Sequence, residues 1–215
     1  MIPAILHSME DVAQGVRNIH LKLKEPLNYK AGQYVMLAFE DALEQKRAFS
    51  ILNTQGDLLT LGIQEHKDFT KRLFSSTAGE RIAVFGPYGR FTLRSPHKNN
   101  IFIAGGIGIT PLLSMLRELP EHANAHLFYC AKSPSHMAYL KEVRALPFDV
   151  RLYFTRVESS LGKHSHITLE DIKTIPHWSS SDYYICGPNA LIDTFRSDLI
   201  AAGVKEDHIY SEDFR

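Results

Sequence analysis

The hydrophobic pattern of this chain changes close to residue 100, and that change restricts the folds that it can adopt. Up to about residue 95, short segments of alternating apolar and polar residues, such as Ile19-His20-Leu21-Lys22-Leu23, are separated by Gly, Pro, Asn and Asp. From residue 101 onward, apolar strand-like segments alternate with helical ones. Short, regularly spaced strands are typical of an antiparallel barrel, whereas strand–helix alternation produces a parallel sheet with crossover helices. The sequence therefore predicts two domains: an N-terminal antiparallel six-stranded β-barrel over 1–95 and a C-terminal α/β parallel-sheet domain over 101–215.

Individual strands and helices can be assigned from apolar periodicity and from turn residues. In the first half, the alternating segment at 19–24 is followed by predicted strands over 33–39, 48–52, 58–65 and 81–85, with one short helix over 70–75. In the second half, strands over 101–104, 126–131, 150–155, 183–186 and 208–211 alternate with helices over 111–119, 138–146, 169–174 and 190–202. The polar, turn-prone segment at 95–100 marks the predicted domain boundary.

Composition and charge argue against several classes of protein. The chain carries 24 Lys and Arg against 24 Asp and Glu, so a broad basic face for nucleic acid is not expected. Cys130 and Cys186 form no CxxC pair, and the histidines of the 164–166 segment have no third ligand nearby, so no metal site is expected. No apolar run could span a bilayer, and the N-terminus turns acidic too early for a secretory signal. We expect a soluble, cytoplasmic protein with no nucleic-acid partner and no membrane span; its oligomeric state stays open.

Two glycine-bearing segments follow predicted strands of the second half. Gly105, Gly106 and Gly108 come directly after the first strand, and Thr110-Pro111 opens the next helix. Ligands bind at the carboxyl ends of parallel strands, and a helix N-terminus favours an anionic group. Cys186-Gly187-Pro188 ends a second strand, with Asn189 as the expected helix cap, so both segments would face one crevice. The alternatives are a tight packing turn and a buried structural cysteine; nucleotide binding and the packing turn are equally good explanations of the first segment alone.

The barrel half has polar outliers of its own. In Arg47-Ala48-Phe49-Ser50, we expect Arg47 and Ser50 to share one face of a strand, where Arg47 could clamp a phosphate and the Ser50 hydroxyl could bond a ring nitrogen. Asp68-Phe69-Thr70 begins a short helix whose amide groups could hold a second phosphate. An ordinary two-faced strand and a capped surface helix are the alternatives.

Taken together and in order, these segments resemble the ferredoxin–NADP reductase superfamily over nearly the whole chain. Arg47–Ser50 resembles its Arg-x-Tyr-Ser flavin motif, with Phe49 in place of Tyr. Asp68–Thr70 resembles its flavin-pyrophosphate segment, although the first Gly of Gly-x-x-Ser is absent. The remaining matches are Gly32-Gln33-Tyr34, Gly86-Pro87-Tyr88-Gly89-Arg90-Phe91, Gly106–Pro111, Cys186–Pro188 and the ending Ser211-Glu212-Asp213-Phe214.

The resemblance implies FAD held by the barrel and NAD(P)H held by the α/β domain, which would then be a nucleotide-binding domain. Hydride would pass from nicotinamide to flavin, and electrons would leave to a separate acceptor: a ferredoxin, flavodoxin, oxygenase component or small molecule. It implies that Ser50, Cys186 and Glu212 act at the reacting rings, that Arg47 contacts flavin phosphate and that Phe49 packs on the flavin. Cofactor contacts are then expected from Arg47, Ala48, Phe49, Ser50, Asp68, Phe69, Thr70, Gly105, Gly106, Gly108, Thr110, Pro111, Cys186, Gly187, Pro188 and Phe214.

The choice of donor and of flavin use stays open. Lys132 and Arg156 follow the second and third parallel strands, where a 2′-phosphate would want cations, and Lys163 lies behind them; this favours NADPH over NADH. The motif Arg-x-Phe-Ser also occurs in stand-alone flavin reductases of this superfamily, so an NAD(P)H:flavin oxidoreductase with diffusible flavin is the first alternative. A non-catalytic nucleotide-sensing module is the second, which the presence of Arg47, Ser50, Thr70 and Cys186 disfavours.

Overall fold

A computed structural model describes residues 1–94 and 98–213 and confirms the two-part architecture. The first part is a closed antiparallel barrel in the order β1-β2-β5-β4-β3-β6. Its strands are β1 Ile2–Ala13, β2 Val16–Leu23, β3 Tyr34–Phe39, β4 Arg47–Gln55, β5 Leu58–Gln64 and β6 Arg81–Tyr88, with helix α1 Asp68–Ser75 between β5 and β6.

The first strand, β1, was not among the predicted segments. Of its 12 residues only Ala4 and Leu6 are buried, so its apolar pattern is short and is interrupted by charged residues. Pairing with β2 on one side and β6 on the other recruits it into the barrel. The closure of the barrel therefore depends on long-range pairing that the local sequence pattern of β1 does not predict.

The barrel encloses its core in the way that the alternating pattern requires. On β2, Ile19, Leu21 and Leu23 point inward and are almost fully buried. Strand β5 is buried on both faces from Leu59 to Ile63, because its outer face is covered by the second domain. A near-continuous apolar strand within an antiparallel barrel thus marks the side on which the two domains meet.

The second part is a five-stranded parallel sheet in the order β11-β10-β7-β8-β9. Its strands are β7 Asn100–Gly105, β8 Ala125–Ala131, β9 Asp149–Phe154, β10 Asp182–Cys186 and β11 Ile209–Glu212. Its helices are α2 Ile109–Glu118, α3 Leu140–Arg144, α4 Leu169–Lys173 and α5 Asn189–Ala201. Apolar clusters cover both faces of the sheet, as expected for parallel strands. None of the helices in the described ranges is long and apolar enough to cross a bilayer.

Two local predictions are wrong. Asn189 is not a cap: it is the first residue of α5, and Pro188 occupies the N-cap position without a side-chain hydrogen bond. Arg47 and Ser50 do not share a face, because residues three apart on a regular strand point to opposite sides; accordingly Arg47 is exposed and Ser50 is buried. The domain boundary at 95–100 stays a prediction, since residues 95–97 lie outside the described part of the chain.

The two domains are packed directly against each other. Helix α2 lies against β4, and the apolar cluster under α2 takes in Leu52 and Phe91 from the barrel half. A hydrogen bond also crosses the boundary: the Tyr139 hydroxyl donates to Asn18 Oδ1 at 2.7 Å. This interface sets where the carboxyl edge of the sheet lies relative to the barrel.

Candidate functional site

The glycines at the ends of β7 and β10 bring two turns into contact. A Cβ on Gly108 would overlap the Cys186 carbonyl and lie 2.7 Å from Gly187 N, and one on Gly105 would lie 2.8 Å from Pro188 Cδ. Gly187, at φ 155°, would place a Cβ 3.0 Å from the Gly105 Cα. Gly105, Gly108 and Gly187 are therefore needed for packing, and they confirm that the two glycine segments share one edge of the sheet.

Gly106 differs from its neighbours. It has φ 55°, and nothing lies within 4 Å of the position that a Cβ would take. It begins a 3₁₀ turn, Gly106–Gly108, that leads into α2 and has no side-chain cap. The amide groups of this turn are thus available to an anionic group approaching through the space at Gly106.

Cys186 ends β10 and is fully buried, next to Glu212 on β11. Burial, and secondarily the charge of Glu212, raises the pKa of the Cys186 thiol well above its usual value. The sulfur therefore stays protonated at neutral pH and offers a small apolar surface rather than a nucleophile.

Glu212 carries the most unusual carboxyl group of this edge. Burial, and secondarily Asp213, raises its pKa to about 7. Its Oε2 is buried without a hydrogen-bond partner in the part of the chain described. Its Oε1 lies 3.5 Å from the position of a Cβ on Gly89, so the carboxylate reaches the barrel. A titrating carboxyl group at an interdomain boundary is a typical feature of a functional site.

The barrel side of this boundary is formed by Tyr34, Ser50 and Gly89. Tyr34 pairs with Ser50 across β3 and β4, and a Cβ on Gly89 would be 3.1 Å from the Tyr34 ring. Ser50 is only 5% exposed. Tyr34 and Gly89 therefore lie between Ser50 and Glu212. Glu212 in turn pairs with Cys186 across β11 and β10. The roles of Ser50, Cys186 and Glu212 at the reacting rings stay predictions.

The other residues of the flavin motif lie along the same strand. Arg47 is exposed, and its guanidinium donates to the Lys46 carbonyl at 2.8 Å. Ala48 is also exposed, whereas Phe49 is half-buried and packs on Phe69 with ring centroids 5.8 Å apart. Phe69 itself belongs to the barrel core. Since the Phe69 side chain is packed in the core, the group that Phe69 could offer to a ligand is its backbone amide.

Thr70 stabilises the start of α1 from within. Its Oγ1 accepts from the backbone N–H groups of His66 and Lys67, at 2.8 and 3.1 Å, and donates to the Lys67 carbonyl. Lys67 is the N-cap and provides no side-chain cap bond, and Asp68 is exposed in the first turn. The hydroxyl of Thr70 is therefore engaged, and the first-turn amides are what α1 can offer to a phosphate.

Thr110 and Pro111 lie in the buried first turn of α2. Thr110 faces the barrel: a Cβ on Gly62 would lie 2.9 Å from Thr110 Oγ1 and would overlap the Tyr139 hydroxyl. This contact between Gly62, Thr110 and Tyr139 had no signal in the sequence, because it joins three separate segments. The expected cofactor contact of Thr110 stays a prediction.

The cations expected at the outer strands have different environments. Lys132 and Arg156 are exposed and adjacent, since Arg156 N–H donates to the Lys132 carbonyl at 3.1 Å. Lys163, in contrast, pairs with Asp171 at 2.9 Å and is not free. Phe214 lies outside the described residues. Within the described ranges, no group of three His, Cys, Asp or Glu side chains is arranged to hold a metal ion.

Known proteins match both the sequence and this architecture. The model of the oxidoreductase NAD-binding domain matches residues 102–197. The described chain superimposes on the flavohaemoglobin-like FAD/NAD-binding domain of nitric oxide dioxygenase from Vibrio cholerae O1 biovar El Tor with a TM-score of 0.89 at 17% identity, covering 99% of this chain and 98% of that one. The chain therefore contains a segment similar to the oxidoreductase NAD-binding domain and has the two-domain fold of that structure.

Curated proteins are also similar to this chain along most of its length. The phenol hydroxylase P5 protein of Acinetobacter pittii (strain PHEA-2) is 27% identical over 98% of this chain and 65% of its own length. The reductase component of propane 2-monooxygenase from Rhodococcus jostii (strain RHA1) is 29% identical over 96% of this chain and 61% of its own. This chain therefore spans less than two thirds of the length of these relatives.

Proposed function

We propose that the chain is an FAD-dependent NAD(P)H oxidoreductase of the ferredoxin–NADP reductase type. It would take hydride from NAD(P)H and pass electrons to a separate acceptor, either a redox protein such as a ferredoxin, flavodoxin or oxygenase component, or a small molecule. The observation that carries the proposal is the meeting of the barrel and the carboxyl edge of the sheet at Gly89 and Glu212. The similarity to the reductase component of propane 2-monooxygenase from Rhodococcus jostii supports it. We also propose a cytoplasmic location, from composition.

The residues at this boundary fit the two cofactors. Arg47, Ala48, Phe49 and Ser50, with the first turn of α1, would hold FAD, which supplies two-electron acceptance and one-electron release. The uncapped turn at Gly106 would hold the dinucleotide phosphates, with Pro188 at its border.

The side chains of this chain would do three things around the rings. Ser50 would offer its hydroxyl from a buried strand position, which fixes its direction. Cys186 would exclude water with a protonated sulfur. Glu212 would hold or release a proton at its carboxyl group close to neutral pH. These three side chains would act by orienting the rings, by setting the local charge and by excluding water.

A specific observation supports the alternative of diffusible flavin. The Thr70 hydroxyl is hydrogen-bonded to the backbone at the start of α1, so it is not available to a flavin phosphate. The acidic Asp68 lies in the first turn of α1, where its charge would repel a phosphate. Phe49 also has no hydroxyl to offer to the flavin. These features would lower the affinity for a flavin nucleotide but would leave the site for the flavin ring in place.

An anaerobic titration with NADH and NADPH in separate experiments tests both readings. Protein that is yellow as purified and loses its flavin absorption on addition of NAD(P)H supports the proposal. Colourless protein that reduces added flavin supports the alternative. Failure to reduce bound flavin, added flavin and ferricyanide alike would refute both.

The Ser50→Ala variant tests the assignment at the ring. We expect flavin reduction to slow about tenfold, the loss of one hydrogen bond, while the Kd for NAD(P)H stays unchanged. Stopped-flow reduction across donor concentrations separates these two quantities. Ser75→Ala, at an exposed serine of α1, is the matched control. Equal reduction rates in Ser50→Ala and the parent would contradict the assignment.

A further inference from the structure

A concave site lies beside the boundary between Gly89 and Glu212, on the barrel side. It is a pocket of about 490 Å³ that begins at Gly89 and runs along the segment after β6. Three cations, Lys30, Arg90 and Arg94, line it together with neutral polar side chains that include Asn28 and Thr92. No acidic residue is among the lining residues. The volume is in the range of sites for small molecules.

Within residues 1–94 and 98–213, none of Lys30, Arg90 and Arg94 forms an ion pair with a carboxylate. Six other arginines of the chain do, namely Arg17, Arg72, Arg81, Arg117, Arg151 and Arg196. Since the net charge of the whole chain is zero, this concentration of positive charge is local. Three like charges around one depression are costly unless an anion fills it.

The pocket is held in shape by contacts from both domains. Gln33 joins its two walls, because its Oε1 accepts from Lys30 N–H at 2.8 Å and its Nε2 donates to the Gly89 carbonyl at 3.3 Å. Arg94 N–H donates to the Tyr184 hydroxyl of β10 at 2.9 Å. The Arg94 guanidinium also donates to the Arg90 carbonyl at 3.2 Å. The two walls of the pocket and the Arg94 side chain are thus held by defined contacts.

We propose that this pocket binds a small multivalent oxyanion, a molecule that carries phosphate or several carboxylates, next to the boundary between Gly89 and Glu212. Guanidinium groups match the planar oxygens of such anions with paired hydrogen bonds, and the lysine adds a point charge. Neutral donors such as Asn28 and Thr92 complete the shell. The binding requires no electron transfer, so it stands or falls separately from the function proposed above.

Calorimetric titration of the protein as purified, without NAD(P)H, tests the proposal. The probes are citrate and inorganic phosphate at constant ionic strength, with acetate as the monovalent comparison. We expect saturable binding of citrate at one site and at least tenfold weaker binding of acetate. Arg94→Gln should weaken citrate binding about tenfold, and the Arg90→Gln/Arg94→Gln double variant should abolish it. If only phosphate binds with this dependence, the ligand is a phosphorylated molecule.

The matched control is Arg144→Gln, at an exposed arginine of α3 outside the pocket. It should bind citrate like the parent. Absence of saturable binding of both probes, or equal weakening in Arg144→Gln and Arg94→Gln, would overturn the proposal. So would a result in which neither probe binds but Arg94→Gln slows reduction of a plant-type ferredoxin, because the cations would then serve a protein partner.

Discussion

Gly108 and Gly106 stand two residues apart in one turn, and the structure gives them opposite tasks. An alanine Cβ at position 108 would lie 2.7 Å from Gly187 N and would overlap the Cys186 carbonyl, all of them backbone atoms at the end of β10. An ordinary contact of this kind is about 3.5 Å, so α2 or β10 has to move by roughly 1 Å. At position 106 a Cβ has no atom within 4 Å, so the only cost of alanine there is the left-handed backbone conformation at φ 55°.

These geometries translate into different losses of stability. Overpacking against backbone costs about 3 kcal/mol, the upper end for such insertions, which corresponds to a fall in Tm of roughly 6–12 °C for a chain of this size. The left-handed conformation of Ala at position 106 costs about 1 kcal/mol, or roughly 2–4 °C. Gly108→Ala is therefore expected to be the less stable protein by about 2 kcal/mol, measured by thermal and urea unfolding.

For nucleotide binding, we expect the larger effect from Gly106→Ala, which is the more stable of the two variants. The added methyl group of Gly106→Ala stands where the dinucleotide phosphates are expected, so the KM for NAD(P)H should rise about tenfold in a folded protein. Gly203→Ala, also at positive φ with nothing within 4 Å, is the control for the backbone cost alone. If Gly106→Ala and Gly108→Ala lose the same stability, the packing account of this turn is refuted.

The remaining predictions concern charged groups. Burial raises the folded-state pKa of Glu212 from the usual 4.5 to about 7, so the folded protein keeps a proton that the unfolded chain has released, and stability falls as pH rises from 4.5 to 7. Glu212→Gln should flatten this fall in urea titrations and remove an inflection near pH 7 from the flavin-reduction rate; an unchanged pH profile would contradict the assignment. Lys132→Gln combined with Arg156→Gln should raise the KM for NADPH about tenfold and leave that for NADH unchanged, as measured by steady-state kinetics, and parallel changes for both donors would argue against a 2′-phosphate site. His208→Gln should cost about 2 kcal/mol of unfolding free energy, because Asp182 is 1% exposed and pairs with His208 Nδ1 at 2.6 Å; unaltered urea unfolding would show that this pair contributes nothing.

Local sequence pattern was sufficient for most of the backbone. The predicted strands and helices coincide with the observed ones within about two residues at most ends, and the glycine segments lie at adjacent strand ends as expected. These features depend on the periodicity of apolar residues and on turn residues, which act over a few positions along the chain. The opposite faces of Arg47 and Ser50 also follow from that periodicity, because residues three apart on a regular strand point to opposite sides.

Only the tertiary structure decided what individual side chains do. The sequence placed Gly105, Gly106 and Gly108 in one motif, but the closeness of the β10 turn makes two of them packing residues and leaves Gly106 open. In the same way, Thr110 faces Gly62 of the barrel, and Lys163 is occupied by Asp171. The reason is physical: backbone conformation responds to near neighbours, whereas burial, pairing and raised pKa values arise where segments tens of residues apart are packed together.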